Sequence, residues 1–118
     1  MLNQAVLIGR IVREPELRDT ENGKLCNLTL AVPRSFKNVE TGEYDTDFVD
    51  VTLWKGVAES TAEYCRKGDL VGVKGRIQTN SKEDENGEKK HYMNIVAEKV
   101  TFLSSKAKEN QDKDYSRE

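Results

Sequence analysis

Between Ala5 and Val12 the chain is apolar on both parities, through Ala5, Val6, Leu7, Ile8, Ile11 and Val12. Residues 4–12 therefore read as a first strand covered on both faces. One cover is the core; a partner subunit is a candidate for the other. Gly9 interrupts this strand and suits a bulge or a close backbone approach. Glu14 to Gly23 reads as a loop, with Asn22-Gly23 as its turn signal. Leu25 to Val32 alternates as a second strand, with Leu28, Leu30 and Val32 on one face and Asn27, Thr29 and Ala31 on the other. Pro33 disturbs the ladder and ends that parity.

Thr41-Gly42 turns the chain toward a third strand at residues 47–54. Here Val49, Val51 and Leu53 form a core face, while Phe48, Asp50, Thr52 and Trp54 share the polar face. Two large aromatics on a solvated face suit the stacking of bases. They equally suit packing against another protein surface, and periodicity alone does not choose between the two.

Gly56 to Lys67 has the spacing of a helix. Val57, Thr61 and Tyr64 recur at i, i+4 and i+7, and Ala58, Ala62 and Cys65 repeat the pattern one residue on. Arg66 and Lys67 suit the negative end of the helix dipole, and Gly68 the C′ position. Leu70 to Thr79 is a fourth strand, with Val71, Val73, Gly75 and Ile77 inward and Lys74, Arg76 and Gln78 outward. Asn86-Gly87 marks the tip of a charged hairpin, and Tyr92 to Leu103 is a fifth strand whose mixed parity implies a bulge. Residues 104–118 carry almost no apolar side chains and are expected to be a disordered polar tail outside a single domain of residues 1–103. The order β-β-β-α-β-β is that of an all-β fold with one helix, the five-stranded Greek-key barrel known as the OB-fold.

Charge modifies this picture only slightly. There are 19 Lys and Arg against 21 Asp and Glu, a formal net charge of -2, so a generic basic surplus for binding polyanions is absent. The acids cluster at Glu14–Glu21, Glu40–Asp47 and Glu83–Glu88, whereas Arg10, Arg34, Lys55, Lys74 and Arg76 lie in or beside strands. A local cationic groove is compatible with that distribution. Lys74 and Arg76 are an ordinary surface pair unless their face joins that of Phe48 and Trp54.

Catalytic chemistry has little raw material. His91 is the single histidine, there is neither a Walker A loop nor a GxGxxG, and the acidic clusters lack EF-hand spacing. No catalytic residue, metal ligand or cofactor is expected. Cys26 and Cys65 form no CxxC and read as reduced, half-buried hydrophobes. Residues 1–10 do not make a secretion signal, and no apolar run approaches membrane-spanning length. Asn27-Leu28-Thr29 fits the glycosylation pattern by chance, lying in a strand of a protein expected to be intracellular.

A series of motifs resembles one family. Met1-Leu2-Asn3 leads into Val6-Leu7-Ile8-Gly9-Arg10, followed by Glu14-Pro15-Glu16-Leu17-Arg18, Asn22-Gly23 and Leu28-Thr29-Leu30-Ala31-Val32. Asp47 to Trp54, Ala58-Glu59, Tyr64-Cys65-Arg66-Lys67-Gly68 and Gly75-Arg76-Ile77-Gln78-Thr79 complete the series. In order and spacing these motifs are similar to those of bacterial single-stranded DNA-binding proteins from Met1 to about Leu103. The resemblance implies an OB-fold that assembles as a homotetramer and holds single-stranded DNA with little sequence preference during replication, recombination or repair. It places stacking on Phe36, Phe48 and Trp54, and phosphate contacts on Lys67 and Arg76. The strand reading adds Arg10, Arg34, Lys55 and Lys74 as phosphate contacts. The implied location is the cytoplasm, at the nucleoid or on phage DNA in a bacterial host, with no membrane.

Two positions depart from the family pattern. The family usually carries an aromatic near Lys82, and here Lys82 is followed by Glu83-Asp84-Glu85. One stacking contact is then missing and nearby acid repels phosphate, so weaker or more salt-sensitive binding is expected. Asp112 to Glu118 also differs from the acidic, Phe-containing tip through which family members recruit enzymes. The expectation is either a truncated tip or a short paralogue of the kind found in phages, mobile elements or DNA-uptake systems, and in both cases no tip-mediated recruitment. The rival readings are an OB-fold adaptor related to primosomal components, whose aromatic face binds protein, and an RNA-binding OB module.

Overall fold

A computed structural model describes residues 1–106. Its elements are β1 (Ala5–Ile11), β2 (Glu16–Thr20), β3 (Gly23–Lys37), β4 (Tyr44–Trp54), α1 (Lys55–Tyr64), β5 (Leu70–Glu83) and β6 (Lys89–Ser104). The strands lie in the order β1-β5-β6-β4-β3-β2. β1 also pairs with β3 through Arg10↔Ala31 and Ile11↔Leu30, which closes five strands into the expected OB-fold barrel and leaves β2 outside it. β4 and β6 run parallel, with Val51 opposite Ile95 and Thr52 opposite Val96; every other pairing is antiparallel.

The barrel closes because one parity of each strand is apolar. Ile11, Leu28, Leu30, Val51, Leu53, Val71, Val73 and Ile95 fill its interior, each at most 3 % exposed. Ala58 and Cys65 from the helical segment join them, along with Cys26. Both cysteines are free, and burial pushes their thiols up. Two glycines let backbones approach. A Cβ on Gly75 would stand 2.2 Å from the Val96 carbonyl oxygen, and one on Gly9 would stand 2.8 Å from that of Ala31. The close approach expected at Gly9 is thus present. β6 carries the expected bulges, where its register against β5 shifts between Lys74 and Gly75 and between Leu70 and Val71.

Several expectations need correction. The loop read at Glu14–Gly23 contains β2, an exposed edge strand paired with β3 from Glu16↔Asn27 to Thr20↔Gly23. Its polar sequence hides it because backbone pairing rather than burial holds it. Pro33 does not end β3, which continues to Lys37, with a register shift after Pro33. α1 begins at Lys55 and stops at Tyr64, so Arg66, Lys67 and Gly68 lie beyond it. Arg66 still reaches back, donating from Nη1 to the carbonyls of Ala62 and Cys65 at 3.2 and 2.9 Å. Gly68 does not cap the helix. It takes a positive φ of 91° in the following turn, where the Asp69 carboxylate accepts the Arg66 N–H at 2.8 Å. Tyr64 is exposed rather than packed, and Ala58, Thr61 and Cys65 form the buried stripe. Ile77 is 40 % exposed because β5 has by then run past β1, whose pairing with it ends at Ala5↔Gly75. Of the expected tail, Ser104 ends β6; residues 107–118 lie outside the described residues.

Candidate nucleic-acid interface

Residues directly opposite each other in neighbouring strands share a face, so the register can be read as rows across the outside of the barrel. One row runs Arg10, Ala31, Phe48 across β1, β3 and β4. A second runs Arg18, Leu25, Trp54 across β2, β3 and β4. A third crosses five strands through Glu16, Asn27, Thr52, Val96 and Arg76. At about 4.8 Å per strand the third row spans roughly 19 Å. The face of Phe48 and Trp54 therefore joins the face of Arg76. Each ring also has an arginine two strands away in its own row.

Polar side chains tie this face together. The Asn94 amide donates to the Thr52 hydroxyl at 2.6 Å, and Thr52 donates to Asn27 Oδ1 at 3.4 Å. Thr29 donates to Asp50 at 3.2 Å. These bonds fix the strand surface between the rings. Phe48 is 67 % exposed, while Trp54 is half-buried where β4 turns into α1. A half-buried ring keeps part of its surface accessible for stacking on a base.

The candidate cations have different surroundings. Arg76 is exposed in the third row, and Lys74 is exposed between Val6 of β1 and Lys99 of β6. Arg10 shares the row of Phe48 by register, and its Nη1 donates to the Gly68 carbonyl at 3.1 Å, which draws the guanidinium toward the turn that precedes β5. Lys67 lies in the turn after α1, where its backbone N–H donates to Glu14 at 3.0 Å. Lys55 is exposed at the corner between β4 and α1, with a left-handed φ of 54°. Arg34 is turned away from the Phe48 row. It makes a forked contact with Asp47, at 2.9 Å from Nη2 and 3.2 Å from Nε. Asp47 alternates with Phe48 and so belongs to the opposite face of β4. The Arg34 guanidinium holds the Asp47 carboxyl below the usual carboxylate range. Phe36 is 84 % exposed in the stretch where β3 and β4 lose register, outside the paired rows.

The structure adds two residues to this face. Arg18 enters with β2, beside a groove of about 330 Å³ lined by Arg13, Glu14, Glu16, Arg18, Asn27 and Thr29. Sequence reasoning missed it because β2 has no apolar period. Tyr92 also lies on this face: it pairs with Asn80 and precedes Asn94 and Val96 at a spacing of two. The run Tyr92, Asn94, Val96 was the available signal. Among the described residues, no group of three His, Cys, Asp or Glu side chains is placed to hold a metal ion. No helix there is long and apolar enough to cross a membrane.

Comparison with known proteins gives a consistent result. Residues 2–103 match the Single-strand binding protein family. The chain is 48 % identical over 110 residues to Single-stranded DNA-binding protein B of Bacillus subtilis (strain 168), covering 92 % of this chain and 96 % of that one. It is 45 % identical over 112 residues to the single-stranded DNA-binding protein of Halalkalibacterium halodurans, covering 94 % of this chain and 66 % of the relative. Among solved structures it resembles a Plasmodium falciparum SSB complex with ssDNA, with a TM-score of 0.75 and 26 % identity over 88 % of this chain and 97 % of that one.

Proposed function

We propose, since the chain belongs to the single-strand binding protein family, that it binds single-stranded DNA on the outward face of β3, β4, β6 and β5. It is a binding protein and not an enzyme. The observation that carries the mechanism is the joining of Phe48, Trp54 and Arg76 on one continuous face. Phe48 and Trp54 stack on bases, with Phe36 adding a ring from the stretch where β3 and β4 lose register. Every base has a π face, so stacking tolerates any sequence. Arg76, Arg10 and Arg18 neutralise the phosphates between the stacked bases. Lys55, Lys67 and Lys74 add charge around the rim, and Arg34 contributes only when released from Asp47.

Residues 1–103 form the binding domain, and the cellular role is to cover strands opened in replication, recombination or repair in the cytoplasm. The protein assembles as a homotetramer. The support is β1, where Val6 and Ile8 are 69 % and 56 % exposed on the outward face beside Gly72. The adaptor and RNA-binding readings have no comparable observation behind them.

The test is a titration of Trp54 fluorescence with oligo(dT) at two salt concentrations. Quenching with an affinity that falls as salt rises is expected. Absence of quenching at low salt would overturn the proposal. Arg76→Gln should flatten the slope of log K against log[salt] by about 0.7, the contribution of one phosphate contact on a single strand.

A further inference from the structure

A polar ladder crosses the outward face between the two rings. Asn27, Thr52 and Asn94 link β3, β4 and β6 through the bonds at 3.4 and 2.6 Å. Asn27 and Thr52 form one cross-strand rung, and Leu25 and Trp54 form the next outward rung, two residues away along each strand. That separation is about 7 Å. A base stacked on Trp54 has its edge within reach of the Asn27 amide. Asn27 also lines the groove of about 330 Å³, a volume at the small end of ligand pockets. The charges of that groove balance, Arg13 and Arg18 against Glu14 and Glu16. As a whole it suits the neutral edge of a base more than a second phosphate.

The ladder has a direction, set at its inner end. Asn94 lies at the start of the two-stranded arm that β5 and β6 form beyond Ile77 and Ile95. Its amide nitrogen is bonded to Thr52, while its Oδ1 is buried without a hydrogen-bond partner. The Thr52 hydroxyl carries one proton. Accepting from Asn94, it spends that proton on Asn27 Oδ1, which leaves the Asn27 NH2 group as the outer end. Reversing every bond would bury two unpaired N–H groups of Asn94 in place of one unpaired carbonyl, a larger desolvation cost. The ladder therefore holds Asn27 with a donor facing the groove. The outer bond is long, so it orients this amide without locking it.

We infer that Asn27 reads a base edge, its amide donating to a keto oxygen, and that Thr52 and Asn94 are positioning residues that decide which end of the amide is offered. The inference rests on the proposed binding of single-stranded DNA. It adds to the sequence-tolerant stacking a discrimination of keto from amino bases at one place on the strand. An outward donor meets the O4 acceptor of thymine or uracil and opposes the N4 amino donor of cytosine.

The experiment compares short oligo(dU) and oligo(dC) on the full chain, with Trp54 quenching as the readout. The two bases share a ring size and differ at the 4-position, so the ratio of affinities reports the edge. The parent should prefer oligo(dU) roughly 2- to 10-fold, the equivalent of one hydrogen bond. Asn27→Ala and Thr52→Val should each bring the ratio close to one, and Thr52→Ser should keep the preference. A loss of folded protein lowers both affinities together and leaves the ratio alone. Equal affinities in the parent, or an unchanged ratio in Asn27→Ala, would overturn the edge contact and leave the stacking site standing. A preference lost in Asn27→Ala but kept in Thr52→Val would overturn the positioning role of the ladder. A parent chain that gives no Trp54 quenching with either oligonucleotide would overturn the binding reading itself.

Discussion

The side chain of Asn3 grips the main chain of Ile77 from both sides. Its amide donates to the Ile77 carbonyl at 2.8 Å, and its oxygen accepts the Ile77 N–H at 2.9 Å. The residue thus acts as one more strand rung at the place where β5 leaves the barrel for the arm. Asn3→Ala should cost about 1 kcal/mol in urea denaturation, since both bonds are exposed and each is worth about 0.5–1.5 kcal/mol at most. Amide exchange should rise most at Ile77 and its neighbours. Uniform exchange across the arm in parent and variant would show that Asn3 does not pin this hinge.

Phe48 and Trp54 have the strongest claim to stacking. Each change to Ala should weaken oligo(dT) binding by about 1–3 kcal/mol. Phe36→Ala should cost less, because Phe36 stands outside the paired rows. Circular dichroism confirms folding, and anisotropy with labelled oligo(dT) measures the loss. Equal and negligible losses at Phe48 and Trp54 would remove the rings from the site.

Arg34 is restrained by an acid rather than open to a phosphate. Asp47→Asn should free it, raising ssDNA affinity a few-fold and steepening the salt slope by about 0.7. The pH dependence has a definite sign. Pairing with Arg34 lowers the folded-state pKa of Asp47, so its stabilising contribution is present above the unfolded carboxylate range and is lost as pH falls through the folded value. An NMR titration of the Asp47 carboxyl carbon should give a midpoint below the usual Asp value in the parent and a higher one in Arg34→Ala. Identical midpoints would mean that the pair is not made in solution.

Assembly is predicted to run through β1. Ile8→Asp places a charge in the exposed apolar face and should reduce the mass measured by light scattering from a tetramer to a smaller species, with the fold retained. A parent chain that is already monomeric at micromolar concentration would refute the homotetramer.

Gly75 is predicted to be the least replaceable glycine. An added methyl would meet the Val96 carbonyl oxygen at 2.2 Å, inside a backbone pair that cannot move apart cheaply. Gly75→Ala should destabilise by several kcal/mol, beyond the typical loss of about 1 kcal/mol for a point change. Gly56→Ala, with nothing within 4 Å of its new atom, serves as the control. Comparable melting temperatures for the two variants would contradict the observed packing at the bulge.

The sequence by itself determined the barrel. Alternating aliphatics at Leu28–Val32, Val49–Leu53 and Val71–Val73 demand burial of one strand face, and that demand is local, so it is visible in a period of two. The same alternation put Phe48 and Trp54 outside. The helix was legible as an element but its end was not, because Thr61 closes the last helical bond with Cys65 while Arg66 and Lys67 keep a helical composition beyond it. Only the tertiary structure decided which outward residues meet. Arg18 and Trp54 are 36 positions apart, and their shared row depends on a polar edge strand with no burial pattern to announce it. Arg76 reaches the ring face through Val96 of an intervening parallel-paired strand, a relation that no local period encodes. Charge followed the same rule. The sequence offered Arg34 as a phosphate contact and Lys82 as the place of a missing ring, yet the fold gave Arg34 a carboxylate partner and set Lys82 opposite another lysine, because pairing partners are set by the fold and not by neighbours in the chain.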